Sequence, residues 1–390
     1  TATLSISADA TAIGTFASAN AFIGDGVDQS ATAIAVFGPA TANANVTNTA
    51  TYVVNANAVA LGGSFASANA FVSSGIEQDA FASGTVASAG AGIVNSGSIS
   101  IGASALASAT TFAFAFAGVG TGIDQDATAF GTVSANAAAS LNNSSTIDIT
   151  ANATALAAGI LAPASGTTLI FGSAVATASI GSGIDQSAFA VAVTSASVGT
   201  ITAGSGVIVF LYGGDANASA TLTNTGSINI AANALASANS ASAFAFVDDG
   251  IEQNATAIGG SDADATASIT NALGATINVS AEADALGTFF ALAVATVDTG
   301  IDQEAHAAVE SGTASATVSL TNAGAITIGA DAFASANGAF PTGTTVAGLA
   351  LAFASVGTGI FQSASASGSG LGTLVHVPGS TVFAFFIGNA

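Results

Sequence analysis

Apolar and polar residues alternate along most of the chain with a period of two. Between residues 228 and 239, Ile228, Ile230, Ala232, Ala234, Ala236 and Ala238 share one face, while Asn229, Asn233, Ser237 and Asn239 share the other. This is the period of a β-strand, whose successive side chains point to opposite sides. Alanine alone favours helix, but the interleaved Thr, Ser, Asn, Val, Ile and Phe favour extended chain, and no charge recurs at helical spacing. Asn-x-Gly segments interrupt the runs and predict turns that need a glycine at positive φ.

The alternation is organised into repeats. A Gly-Ile-Asp-Gln-like tetrapeptide recurs at 26–29, 75–78, 122–125, 183–186, 250–253, 300–303 and 359–362, each copy followed by x-Ala-x-Ala or a close variant. Between these copies runs a second signature, as in Leu222-Thr223-Asn224-Thr225-Gly226-Ser227-Ile228-Asn229-Ile230. The first residue of its apolar-x-apolar pair falls at 4, 52, 99, 147, 228, 277 and 326, in steps of 48, 47, 48, 81, 49 and 49. The odd step marks insertions near 159–172 and 197–214, and a third lies near 338–348.

Each of the seven units divides at its Gln into halves of about 24 residues. A half of that length matches one coil of a β-solenoid, two or three short strands with turns. The expected fold is therefore all-β: one continuous solenoid over 1–390, with about fourteen coils in seven two-coil repeats of about 48 residues, and roughly 65–70 Å long at the strand spacing of ~4.8 Å. The faces follow from what the copies keep. Ile, Gln and the two Ala of the tetrapeptide region vary little and are expected inside, where packing tolerates little change of volume. The acid and the x positions vary and are expected outside.

Composition removes whole classes of function. The chain has no Lys, Arg, Cys, Met or Trp, and its 22 acidic residues give a formal charge of −22. A phosphate backbone or an anionic membrane surface repels such a chain, which excludes nucleic-acid binding. Without cysteine there is no disulfide, no thiolate nucleophile and no Cys-ligated metal. Mean hydropathy is +0.70, but Ala and Gly supply much of it and no run of ~18 residues is free of polar interruption, so membrane insertion is not expected. Trypsin has no cleavage site.

The most specific chemical signal is the set Gln29, Gln78, Gln125, Gln186, Gln253, Gln303 and Gln362. Read functionally it is a ligand-contact row. Read structurally it is an internal amide ladder that satisfies orphan backbone groups, with partners expected in the Asn-containing coils above and below. The structural reading is favoured. The acids beside it, Asp28, Glu77, Asp124, Asp185, Glu252 and Asp302, are expected outside on every second coil, about 9.6 Å apart at the usual strand spacing. Calcium is the sharper alternative, at Asp124 with Asp126 or Asp302 with Glu304. It needs six to eight oxygens, and a solvated acidic stripe is preferred. No other cofactor is expected. Neither His306 nor His376 has the partners for catalysis, so no enzymatic activity is expected.

The Leu-Thr-Asn-x-Gly-x-Ile-x-Ile motif, repeated along a Lys-free chain of Ala, Gly, Ser, Thr and Asn, resembles the β-helical repeats of bacterial autotransporter passengers and filamentous-haemagglutinin-type adhesins. A second similarity is to curli-type functional amyloid with its stacked Gln and Asn. These resemblances imply a secreted, extracellular or surface-displayed protein that adheres or aggregates, as a stalk, fibre or biofilm matrix.

The expected function is a structural subunit that polymerises head to tail with itself. Leu4 and Ile6 of one copy would meet the apolar strands of residues 371–390 of the next, through Val382, Phe383, Phe385, Phe386 and Ile387. Such a contact does not close and generates fibres, and Leu106, Leu235 and Phe333 would add lateral contacts between them. The alternatives are a monomeric adhesin stalk that binds a host or glycan ligand, and a carbohydrate-active β-helix.

Overall fold

The computed structural model describes residues 2–159, 171–192, 214–310, 312–337 and 348–368, and two short strands beyond them, 373–374 and 383–384. Every element among these residues is a strand. In chain order they are β1 (Thr3–Ile34), β2 (Pro39–Asn48), β3 (Thr51–Asn95), β4 (Ser98–Ala109), β5 (Phe112–Asn143), β6 (Thr146–Ala157), β7 (Ser173–Ala192) and β8 (Asp215–Asn224). They continue as β9 (Ser227–Gly259), β10 (Asp262–Asn271), β11 (Thr276–Val309), β12 (Thr313–Asn322), β13 (Ala325–Ala336), β14 (Leu349–Gly368), β15 (Thr373–Leu374) and β16 (Phe383–Ala384). All pairings are parallel, so the fold is all-β and built from repeats.

The register corrects one expectation. Thr3 pairs with Thr51, Thr51 with Ser98, and Gln78 with Gln125. The parallel neighbour therefore lies a whole repeat away, not a half-repeat of about 24 residues. Like stacks on like because the Gln half and the Asn-x-Gly half carry different inward side chains, and only identical columns interlock. Across the insertions the register holds: Gln125 pairs with Gln186, and Leu141 with Leu222.

Each repeat has three runs, seen in the second as 51–61, 65–84 and 86–95. The inward residues of the first run (Val54, Ala56, Ala58, Ala60) pack against those of the first half of the long run (Ala66, Ala68, Ala70, Val72) in one core. The second half of the long run (Ala80, Ala82) packs against the return run (Ala87, Ala89, Ala91) in another. Both cores are mostly alanine, which brings opposing strands close.

The glycine before Ile-Asp-Gln marks this closeness. A Cβ on Gly122 would stand 2.5 Å from the carbonyl oxygen of Gly183 and 2.5 Å from Ile149 Cδ1. The Asn-x-Gly corners work the same way and not through positive φ. Left-handed glycines occur at Gly38, Gly159, Gly274 and Gly312, whereas a Cβ on Gly97 would run into the carbonyl of Ala50 in the layer beside it.

Candidate functional site

The repeat places two amide ladders inside and one carboxylate column outside. Each later Gln donates its Nε2–H to Oε1 of the one before: Gln78 to Gln29 at 3.1 Å, Gln125 to Gln78 and Gln186 to Gln125 at 2.9 Å, Gln253 to Gln186 at 2.8 Å, Gln303 to Gln253 at 2.7 Å and Gln362 to Gln303 at 2.8 Å. The partner is thus the next Gln itself and not an Asn of an intervening coil. The same amide nitrogens reach across the core to the return run, as Gln125 does to the carbonyls of Ala91 and Ser140. Gln78 through Gln303 are fully buried. A buried amide without partners costs about 1–3 kcal/mol, and the stack removes that penalty at every layer but the last. There, Gln362 Oε1 is buried with no hydrogen-bond partner.

The second ladder is made of asparagines, which the sequence alone suggests only as turn residues and as partners for the Gln row. Asn48 donates to Asn95, Asn95 to Asn143, Asn143 to Asn224, Asn224 to Asn271 and Asn271 to Asn322, at 2.8–2.9 Å. It runs with the opposite polarity, the earlier residue donating to the later. Asn48 through Asn271 each also donate to a carbonyl at the start of the first run one layer beyond the run that follows them, as Asn95 does to Thr146, and so tie each corner to the next. The signal is present in the sequence: these Asn residues recur at 47, 48, 81, 47 and 51 residues, nearly the steps of the apolar-x-apolar pairs that follow them.

Tyr52 also departs from the pattern. It stands in the column of Ile99, Ile147 and Ile228, is buried, and its hydroxyl donates to the carbonyl of Gly75 at 2.9 Å. Burial holds its phenol well above the usual range.

Outside, Asp28, Glu77, Asp124, Asp185, Glu252 and Asp302 stand in consecutive register, and Phe361 ends the column. Their spacing is one strand, about 4.8 Å, half the expected value, because the whole repeat stacks on itself. At that distance two carboxylates repel by roughly 0.9 kcal/mol in water, and by more where the solvent is partly excluded. The chain contains no Lys or Arg to relieve them.

The ionised forms are penalised accordingly. Asp185 is pushed up to about 7 by loss of solvent and then by Glu252, Asp124, Asp126 and Asp249. Asp124 is pushed up to about 6, again by burial first and then by Asp126, Glu77, Asp79 and Glu252. Asp302 rises to about 6 through burial, Glu304, Glu252 and Asp249, and its Oδ1 has no partner.

The calcium candidates fall on this surface. Asp124 is half-buried with Asp126 exposed beside it, and Asp302 is half-buried with Glu304 exposed beside it. Among the described residues no group of three or more His, Asp or Glu side chains is arranged to hold a metal ion. His306 is exposed in an outward slot that pairs with Thr256 and Ser365. His376 lies outside the described residues.

A third kind of column occupies the outward side of the long run's first half. Phe22 stacks on Phe71 at 5.8 Å between ring centres, and Phe65 on Phe112 at 5.5 Å. These rings lie outward on the strand face opposite the alanine core.

The assembly candidates divide between ends. Leu4 is 53% exposed and Ile6 half-buried on β1, which pairs only with β3 among the described residues. In residues 371–390, β15 pairs with Ser315 and Ala316 of β12, and β16 pairs with Ser363 and Ala364 of β14. Thr373, Leu374, Phe383 and Ala384 therefore pair inside their own chain, where the sequence reading assigned the segment to a neighbour. Val382, Phe385, Phe386 and Ile387 lie outside the described residues. No protein-family model, no curated protein and no solved structure matches the chain.

Proposed function

We propose that the chain is a β-solenoid of seven coils, one per repeat of about 48 residues, and that it serves as an extracellular structural protein, a subunit of a head-to-tail filament or surface matrix. The observation that carries this reading is the state of the two end layers. Ile301 is fully buried, whereas Ile360, its counterpart one layer on, is 45% exposed. β1 and β13 each have one paired edge among the described residues. Monomeric repeat proteins cover such edges with polar caps, prolines or charges. β14 carries no acid at all, and its outward Leu349 and Phe353 are more than half exposed. Edge strands of matching register can extend the stack by adding copies, and such a contact does not close.

The test is direct. Sedimentation velocity and electron microscopy of the purified chain over a range of concentrations should show linear particles that lengthen with concentration. A monodisperse, folded monomer at the highest concentration sinks the filament reading. The monomeric adhesin stalk would then take its place, and the outward Phe22–Phe71 and Phe65–Phe112 stacks favour that second reading because they offer a flat aromatic face to a ligand.

A further inference from the structure

The two ends of the Gln ladder are complementary. At one end Gln362 is 3% exposed and its Oε1 is buried without a partner. At the other, half-buried Gln29 accepts from Gln78, while its own Nε2 donates to nothing among the described residues. Throughout the ladder the later layer donates to the earlier. A layer placed on β14 must therefore bring a donor to Gln362 Oε1, which is what Gln29 has to spare.

We propose that β13 and β14 receive β1 of a second copy in continued register, with Gln29 of that copy donating its Nε2–H to Gln362 Oε1. The inference rests on the head-to-tail reading and specifies its junction. The strands match: β13 pairs with β11 over twelve residues, as the start of β1 does with β3. In that register Ile326 and Ile328 meet Leu4 and Ile6 of the second copy, and Leu349 meets its Phe16. Asp28 of the second copy meets Phe361 and not another acid, so the carboxylate columns of two copies are kept two layers apart. One like-charge pair is created, Asp331 against Asp9, and elongation should therefore strengthen with salt.

The chain's own β16 already holds part of this edge, at Ser363 and Ala364. Among the described residues it pairs over two positions, and Gln362 Oε1 has no donor. A second copy offers pairing along both strands as well as the missing hydrogen bond. The same two residues would then pair with Ser30 and Ala31 of the second copy, so β16 and the incoming subunit compete.

The test uses the full chain. Gln29→Glu keeps an acceptor for Gln78 but loses the donor, so within one chain the ladder remains bonded, while at the junction oxygen faces oxygen. At neutral pH elongation read by sedimentation velocity should weaken roughly 5- to 150-fold, the range that corresponds to one stranded buried acceptor. Acidification that protonates the introduced carboxylate restores a donor and should restore elongation, a rescue that a purely structural defect would not show. Gln29→Met, which removes the donor without adding charge, should weaken elongation at every pH. Ala384→Pro, which removes an N–H from β16, should speed elongation.

If wild type elongates and Gln29→Glu elongates equally at neutral pH, the junction is wrong while the filament stands. If wild type is monomeric but Ala384→Pro elongates, the junction stands with β16 as its competitor. If both remain folded monomers, the filament reading and the junction fail together.

Discussion

Asp185 and Gln186 are adjacent in sequence and stack with identical periodicity, yet stacking has opposite consequences for them. Inside, an amide carries a donor and an acceptor, so a column of amides satisfies itself: Gln186 gives to Gln125 and takes from Gln253. Outside, a carboxylate only accepts, so a column of carboxylates repels itself, and partial burial together with that repulsion drives Asp185 up to about 7. Parallel in-register pairing multiplies whatever a residue does to its own kind. Self-complementary side chains gain with every layer, and self-repelling ones accumulate a penalty that only solvent, salt or protons relieve.

The contrast is tested most severely by moving a carboxylate inward. Gln125→Glu sets a charge against Gln78 Oε1 in the buried ladder and should destabilise by about 3–5 kcal/mol at neutral pH, in line with an uncompensated buried charge. A chemical-denaturation midpoint unchanged from wild type would show that the ladder is not dry. Gln125→Leu strands Gln78 Oε1 without adding charge, and the expected loss is smaller, about 1–3 kcal/mol.

Moving an amide outward should have the reverse sign. Asp185→Asn replaces a repelled carboxylate by a group that can donate along the column, and should stabilise by on the order of 1 kcal/mol at pH 8, a value discounted for the column's access to solvent. The wild-type protein should show the same effect through pH. Asp124, Asp185 and Asp302 bind protons more tightly folded than unfolded. Their contribution is therefore fully present below the unfolded carboxylate range near ~4 and is lost as pH rises through about 6 to about 7. The melting temperature should fall between pH 5 and pH 8, less steeply in Asp185→Asn. A flat profile in wild type would mean that the column is screened.

The smallest effect separates outward position from repulsion. Phe71→Ala removes a ring stacked on Phe22 and should destabilise by about 0.5–1 kcal/mol beyond the area lost, although the residue faces outward like Asp185. Stabilisation instead would mean that the Phe column strains the sheet.

Much of this arrangement is legible in the residues alone. Period-two alternation assigned the strands, and the constancy of Ile76, Gln78, Ala80 and Ala82 against the variability of Glu77, Asp79 and Phe81 assigned their faces. The pairing interval was not read correctly. Both halves of a repeat carry the same Ala alternation, so hydropathy alone permits either to stack on the other. The decisive information lay in residues with self-complementary chemistry. A Gln column and an Asn column recurring at the whole repeat interlock only if each layer contains both. Tyr52 was missed because an aromatic ring in an aliphatic column looks like a volume change, and its hydroxyl's partner, the Gly75 carbonyl, is a backbone atom that sequence does not display. The carboxylate shifts follow first from partial burial and then from the halved spacing, and neither is displayed by the sequence.

The corners set rules for how such a molecule can grow. Extra residues enter at 160–170 and 338–347, between the first and the long run of a repeat, and at 193–213, between the long and the return run. On either side of each insertion the flanking strands keep their register. At the third corner, where Asn48, Asn95, Asn143, Asn224 and Asn271 each bond to the next layer, the return run passes to the following first run with only a few residues between them. A gene encoding this chain can lengthen it in two ways without disturbing what is already stacked. It can duplicate a whole unit at any boundary, since every cut meets the same columns, or it can add a loop at either open corner. The Asn corner is the tight one, yet it is not closed to change: two extra residues stand between Asn271 and Thr276, turned by Gly274 at positive φ, and the layers on both sides keep step.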